Sequence, residues 1–148
     1  YLGKDSIAPF LGFPEKGVFL LCKTSNPEAG DLQDLMVKTS EVYVPLHVHV
    51  AYLAQQWNTA NNIGLVVGAT QPDALARVRE VAQDMWFLSP GIGAQGGDLE
   101  TALKAGLRKD GKGMLINVSR SIARTNNPGL AAAELRDEIF HVERELNR

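Results

Sequence analysis

The chain has 148 residues, 45% hydrophobic and 22% charged, with a formal net charge of −2, which suits one domain with a sizeable core. The slightly acidic balance gives a nucleic-acid partner little electrostatic support, and no apolar run approaches the length of a membrane span. The single cysteine, Cys22, cannot build an intrachain disulfide framework, so a reducing, cytoplasmic setting is expected.

The opening "YLGKDSIAPFLGFPEKG" (1–17) predicts a loop and a short helix arriving from an earlier strand. Four short apolar runs follow: "GVFLLCK" (17–23), "IGLVVGAT" (63–70), "MWFLSPG" (85–91) and "GMLINVS" (113–119). They are near-continuous rather than alternating, as expected for strands buried on both faces of a parallel sheet. After the first run, "GDLQDLMV" (30–37) predicts a helical turn started by Asp31 and Asp34, and "YVPLHVHVAYLAQQWN" (43–58) a longer helix. "QPDALARVREVAQ" (71–83) has Pro72 near the first helical position and Leu75, Val78 and Ala82 at helical spacing. "GDLETALKAGLRKDG" (97–111) places Asp98 as N-cap and ends in Lys, Arg and Gly. "NPGLAAAELRDEIFHVERELNR" (127–148) closes the chain, with Leu130, Leu135, Ile139, Val142 and Leu146 as its inner stripe.

Strand and helix thus alternate four times, which means βα units around a parallel sheet. No linker divides the chain, so residues 1–148 are expected to form one domain. A four-stranded parallel sheet alone leaves two apolar edges. The alternatives are a small open sheet and half of a closed (β/α)8 barrel. The start at Tyr1 with no Met, and the opening segment, favour the half-barrel cut from something longer.

In parallel α/β folds ligands sit beyond the C-terminal ends of the strands. The first run delivers Lys23, Thr24, Ser25, Asn26 and Pro27 there, the second Gly68, Ala69 and Thr70. The third delivers Ser89, Pro90 and a loop of four glycines around Gln95, the fourth Asn117, Ser119, Arg120 and Ser121. Backbone N–H groups of a glycine-rich turn entering a helix form an anion-binding concavity, and a guanidinium grips phosphate bidentately. Taken singly, the glycines can be a tight turn, Arg120 a solvated charge and "TSNP" (24–27) an Asx turn. Their combination on one rim is what points to a phosphate. His47 and His49 stand two apart, a spacing that does not converge on one helix face, so no metal site is expected.

"PGIGAQGGD" followed by "INVSRSI", together with "LLCKTSNPEAGDLQDL", "GLVVGAT" and "AELRDEI", resembles orotidine 5′-phosphate decarboxylase of the longer bacterial branch. The likeness runs through nearly the whole chain in order. It implies the C-terminal half of a (β/α)8 TIM barrel, four βα units, in a usually dimeric enzyme converting orotidine 5′-monophosphate to UMP and CO2 without a cofactor. It also implies that Gln95 and Arg120 grip the phosphate, with the backbone N–H groups of Ser119 and Arg120 completing that site. Ser25 would hydrogen-bond the pyrimidine and Pro90 would lie beside the bound nucleotide. The family commonly has Gly where this chain has Ser119.

The family's reacting group is an Asp-x-Lys-x-x-Asp motif with a further lysine and aspartate, and no such motif occurs in these 148 residues. Lys23 is the only lysine at a predicted strand end and has no evident carboxylate partner on the rim, so no catalytic residue is expected here. The resemblance therefore implies an N-terminal half of the same barrel as partner. A non-catalytic nucleotide-phosphate binding module is the alternative; a hexulose-phosphate synthase is disfavoured by "TSNP" and the Gln95 loop.

Overall fold

The computed structural model describes residues 3–40, 42–93 and 95–146. The elements, in chain order, are helix α1 (Lys4–Leu11), strand β1 (Val18–Lys23), a 3-10 turn (Pro27–Ala29), α2 (Gly30–Gln33), β2 (Met36–Lys38), β3 (Tyr43–Pro45) and α3 (Leu46–Trp57). They continue with β4 (Ile63–Val67), α4 (Pro72–Val81), β5 (Trp86–Pro90), α5 (Leu99–Gly106), β6 (Met114–Asn117), α6 (Arg120–Ala123) and α7 (Pro128–Leu146). The four apolar runs are the four strands of one sheet, in the order β1-β4-β5-β6, every pairing parallel.

That order has a consequence. Right-handed crossovers that always add the next strand on the same side put every helix on one face of the sheet. Accordingly α3 packs on α4, α4 on α5 and α5 on α7. The row Leu20, Leu65, Phe87 and Met114 runs across the sheet on the covered face, where Leu65 and Phe87 are fully buried beside Leu75 and Val78 of α4. A second cluster joins Ala69, Ile92, Leu99, Ala102 and Leu103 to Val142, with Leu135 and Ile139 packed against it.

The opposite face corrects the expectation of strands buried on both sides. Leu21, Val66, Leu88 and Leu115 form a row there, as do Phe19, Gly64 and Trp86. Leu21 is 69% exposed and Leu115 45%. The residues are apolar because the face is built for burial, but no described element covers it. The continuous apolar runs are therefore a core face and an inward barrel face superposed on one strand.

Two other expectations change. Residues 36–45 contain an antiparallel hairpin, with Met36 opposite Pro45 and Lys38 opposite Tyr43, so the helix predicted over 43–58 starts only at Leu46. Pro45, with its fixed φ and missing N–H, ends the strand and opens the helix. In α7, Leu130 and Leu146 are exposed, because only its central turns lie against α5. Residues 147–148 of that predicted helix lie outside the described residues. The caps hold as expected: Pro72 opens α4, and the Asp98 carboxylate accepts the Thr101 N–H at 2.8 Å.

Arg79 is a buried charge that helical spacing does not reveal. Arg79, on the inner face of α4, donates to the carbonyls of Gly106, Ala82, Gln83, Met85 and Gly113 and lies 3.6 Å above the Phe87 ring. Burial lowers its pKa to about 10, which leaves it charged at neutral pH. It ties the C-terminal ends of α4 and α5 to the starts of β5 and β6, at the rim opposite the strand C-termini.

Candidate functional site

The C-terminal strand ends gather the candidate residues. Ser25, two residues past β1, donates its hydroxyl to Gln95 Oε1 at 2.6 Å across 70 positions of sequence. That bond uses the Ser25 proton and the Gln95 carbonyl. It leaves lone pairs on Ser25 Oγ as acceptors and both Gln95 amide protons as donors.

Close backbone approach makes this contact geometrically possible. A Cβ at position 68 would lie 2.8 Å from the Ser25 nitrogen, so only glycine at the end of β4 lets the Ser25 loop lie over it. Lys23 O accepts the Gly68 N–H at 2.7 Å, and Pro90 O accepts the Ala69 N–H at 2.8 Å. Pro90 thus sits in the sheet, opposite Asn117, at the root of the glycine loop.

The glycine loop closes on itself through Gly97 N–H to Gly91 O at 3.0 Å and Gly96 N–H to Gly93 O at 2.8 Å; Ala94 lies outside the described residues. Gly93 has φ +74, and a Cβ there would meet Ser121 Oγ at 2.9 Å. The loop therefore touches the segment after β6 that carries Ser119 and Arg120. Both of those residues are exposed, Ser119 standing directly before α6. Among the described residues the Arg120 guanidinium has neither an ion pair nor a hydrogen bond. Ser25 and Gln95 are joined directly, Pro90 anchors their loop, and Ser119 and Arg120 stand next to it on the neighbouring strand.

Beneath Ser25 lies a polar cluster that contradicts two expectations. Lys23 has a carboxylate partner after all: its Nζ donates to Asp34 Oδ1 at 2.6 Å, with the lysine side chain wholly buried. Asp34 does not cap a helix start; it follows α2 as its C-terminal cap residue. The register of β1 against β4 shifts between Leu21 and Lys23. This bulge buries two consecutive residues, Cys22 and Lys23, where alternation would send one to each face. Lys23 thereby points among the helices, where a carboxylate must meet it.

His47, buried on α3, places Nδ1 2.9 Å from Gln33 O and 3.2 Å from Asp34 Oδ1. Both neighbours are acceptors, so Nδ1 carries the proton. Burial lowers the His47 pKa, with Lys23 and Arg77 adding to the effect, while the Lys23 hydrogen bond lowers that of Asp34. Gln33 completes the cluster, accepting the Thr24 N–H and donating to Thr24 Oγ1, each at 2.9 Å. A lysine ending an apolar strand, "FLLCK", was the available signal; its partner is not legible because a bulge decides which way the side chain turns. No group of three or more His, Cys, Asp or Glu side chains that could hold a metal ion occurs among the described residues.

The fold defines part of a (β/α)8 barrel, with the candidate residues gathered at its strand C-termini. The solved structures agree. A Leishmania donovani UMP synthase matches with TM-score 0.90 and 55% identity, over 97% of this chain and 32% of that one. A putative orotidine-monophosphate decarboxylase from Toxoplasma gondii matches with TM-score 0.94 and 40% identity, over 99% of this chain and 57% of that one. Among curated proteins, the orotidine 5′-phosphate decarboxylase of Cupriavidus taiwanensis is 47% identical over all of this chain and 53% of its own length. The chain matches the Orotidine 5′-phosphate decarboxylase / HUMPS family over residues 1–135 and belongs to it. It spans about half the length of the curated relatives it matches, and its four βα units are the C-terminal half of the barrel. The open apolar face of the sheet then has a physical reason, since in a closed barrel it faces the remaining strands. No described helix is long and apolar enough to cross a membrane.

Proposed function

We propose that this chain supplies the substrate-holding rim of an orotidine 5′-phosphate decarboxylase, which converts orotidine 5′-monophosphate to UMP and CO2. The observation that carries the reading is the 2.6 Å bond between Ser25 and Gln95. It couples an acceptor placed for a ring N–H to two amide donors placed for a phosphate. Gln95, the Arg120 guanidinium and the backbone N–H groups of Ser119 and Arg120 hold the phosphate, Ser25 the pyrimidine, and Pro90 flanks the nucleotide.

Residues 1–148 act as one domain that completes a barrel with an N-terminal half, in a cytoplasmic homodimer. That other half carries the lysine and aspartates of the reaction. When the bond from ring carbon to carboxylate breaks, the electron pair stays on the ring; a lysine ammonium stabilises it and delivers the replacing proton. Binding energy from the distant phosphate lowers the barrier as well as the dissociation constant, which gives a rim without reacting residues a share in turnover.

The test is assembly. Co-expression with the N-terminal half of the Cupriavidus taiwanensis relative should restore UMP formation from orotidine 5′-monophosphate. A folded assembly that binds UMP but forms none would leave only the nucleotide-phosphate module; one that does not bind UMP removes both readings.

A further inference from the structure

We propose that Lys23 is a positioning residue, acting through Asp34 and α2 to hold Ser25 opposite Gln95. The proposal rests on the reading of Ser25 and Gln95 as nucleotide-holding groups and assigns a role to an ion pair, its ammonium buried and its carboxylate half-exposed, that this reading leaves unused.

A buried ammonium is expensive. Replacing such a pair with apolar side chains is commonly neutral or stabilising, so stability alone is a poor reason to keep one. What an ion pair does well is fix one geometry among several. Lys23 ends β1, two residues before Ser25, and its only hydrogen-bonding side-chain partner among the described residues is Asp34. Asp34 directly follows Gln33, whose amide grips Thr24 at two points, the N–H and Oγ1. His47 Nδ1 holds Gln33 O from α3. The three contacts make a closed frame: Lys23 pulls α2 toward the strand, α3 braces it from behind, and Gln33 sets the height of Thr24. On the other side Gly68 leaves no room for the Ser25 loop to sink. Thr24 and Gly68 thus bracket Ser25 where its hydroxyl reaches Gln95.

The experiment uses the assembled barrel, with UMP as probe. Lys23→Met keeps the aliphatic stem and removes the charge. It should raise the UMP dissociation constant about tenfold, a typical size for coupled neighbouring groups. In a Ser25→Ala background the same change should add almost nothing, because the group it positions is gone. Amide exchange at Thr24 should accelerate in Lys23→Met even without nucleotide. A merely structural lysine would lower the melting temperature without this coupling to Ser25. The proposal is overturned if the two substitutions multiply, or if folded Lys23→Met binds UMP like the parent. Asp34→Asn, on the half-exposed partner, carries the same cycle with the same two outcomes should Lys23→Met fail to assemble. If Ser25→Ala and Gln95→Ala themselves leave UMP binding unchanged, the nucleotide reading has failed. If they weaken it while Lys23 stays uncoupled, only this proposal has.

Discussion

Replacing Gln95 with alanine tests the proposal that Gln95 holds the phosphate while Ser25 holds the base. In the structure the Gln95 carbonyl is occupied by the Ser25 hydroxyl, which turns both amide protons away from that contact. A hydrogen bond to a charged group contributes roughly 1.5–3 kcal/mol. Gln95 is exposed, so water replaces part of the loss and a total of about 1–3 kcal/mol is expected. At about 1.4 kcal/mol per decade that is a UMP dissociation constant raised roughly 5- to 150-fold. Uridine lacks the phosphate and should lose far less, only what a freed Ser25 hydroxyl costs. Calorimetric titration of the assembled barrel with UMP and uridine measures both. Equal weakening for the two ligands, or none for UMP, would refute the phosphate assignment of Gln95.

Arg120→Ala should show the same selectivity for UMP over uridine, again by about 1–3 kcal/mol; an unchanged UMP titration would take Arg120 out of the site. Arg79→Met removes a donor from each of five carbonyls, of which Gly113 O keeps the Phe87 N–H and Ala82 O the Met85 N–H. It should cost about 3–5 kcal/mol in urea unfolding, each stranded acceptor being worth about 1–3 kcal/mol before water relieves it; a cost near zero would show those carbonyls are paired otherwise. Burial holds the His47 pKa below its ordinary value of 6.5. As pH falls through 6.5 the unfolded chain takes up a proton that the folded one does not, so stability drops. His47→Gln should flatten that decline below about pH 6.5, leaving at lower pH the acid limb of the carboxylates held below their ordinary range, Asp34, Asp98 and Asp110. A decline of the same slope in the variant would assign it to other groups. Burial also pushes the Cys22 thiol up to about 12, so iodoacetamide at about pH 8 should label it only after unfolding. Rapid labelling of the folded protein would contradict the packing around β1.

The four strands were readable because each is a run of apolar residues bounded by glycine or polar positions, and burial demands that pattern whatever the neighbours are. The caps at Pro72 and Asp98 were readable for the same reason, since they answer to the local geometry of one helix end. The hairpin at 36–45 was not, because "YVPLHVHV" carries an apolar stretch that suits either period until Leu46 N–H bonds Leu35 O. The candidate rim was readable in part. Gly93, Gln95 and Arg120 lie on adjacent strand ends, and alternation of βα units alone brings such ends together.

What the sequence by itself determined is the parallel βα architecture and the rim on which Ser25, Pro90, Gln95, Ser119 and Arg120 stand, because periodicity and strand order place residues by element. Tertiary structure alone decided the bond from Ser25 to Gln95, the open inner face of the sheet and the partnership of Lys23 with Asp34. The bond and the ion pair depend on the direction of a side chain relative to another element, and the open face on what packs against the sheet. For Lys23 a single bulge sets that direction: it turns the lysine away from the barrel interior and into the helices, where Asp34 and His47 already lie.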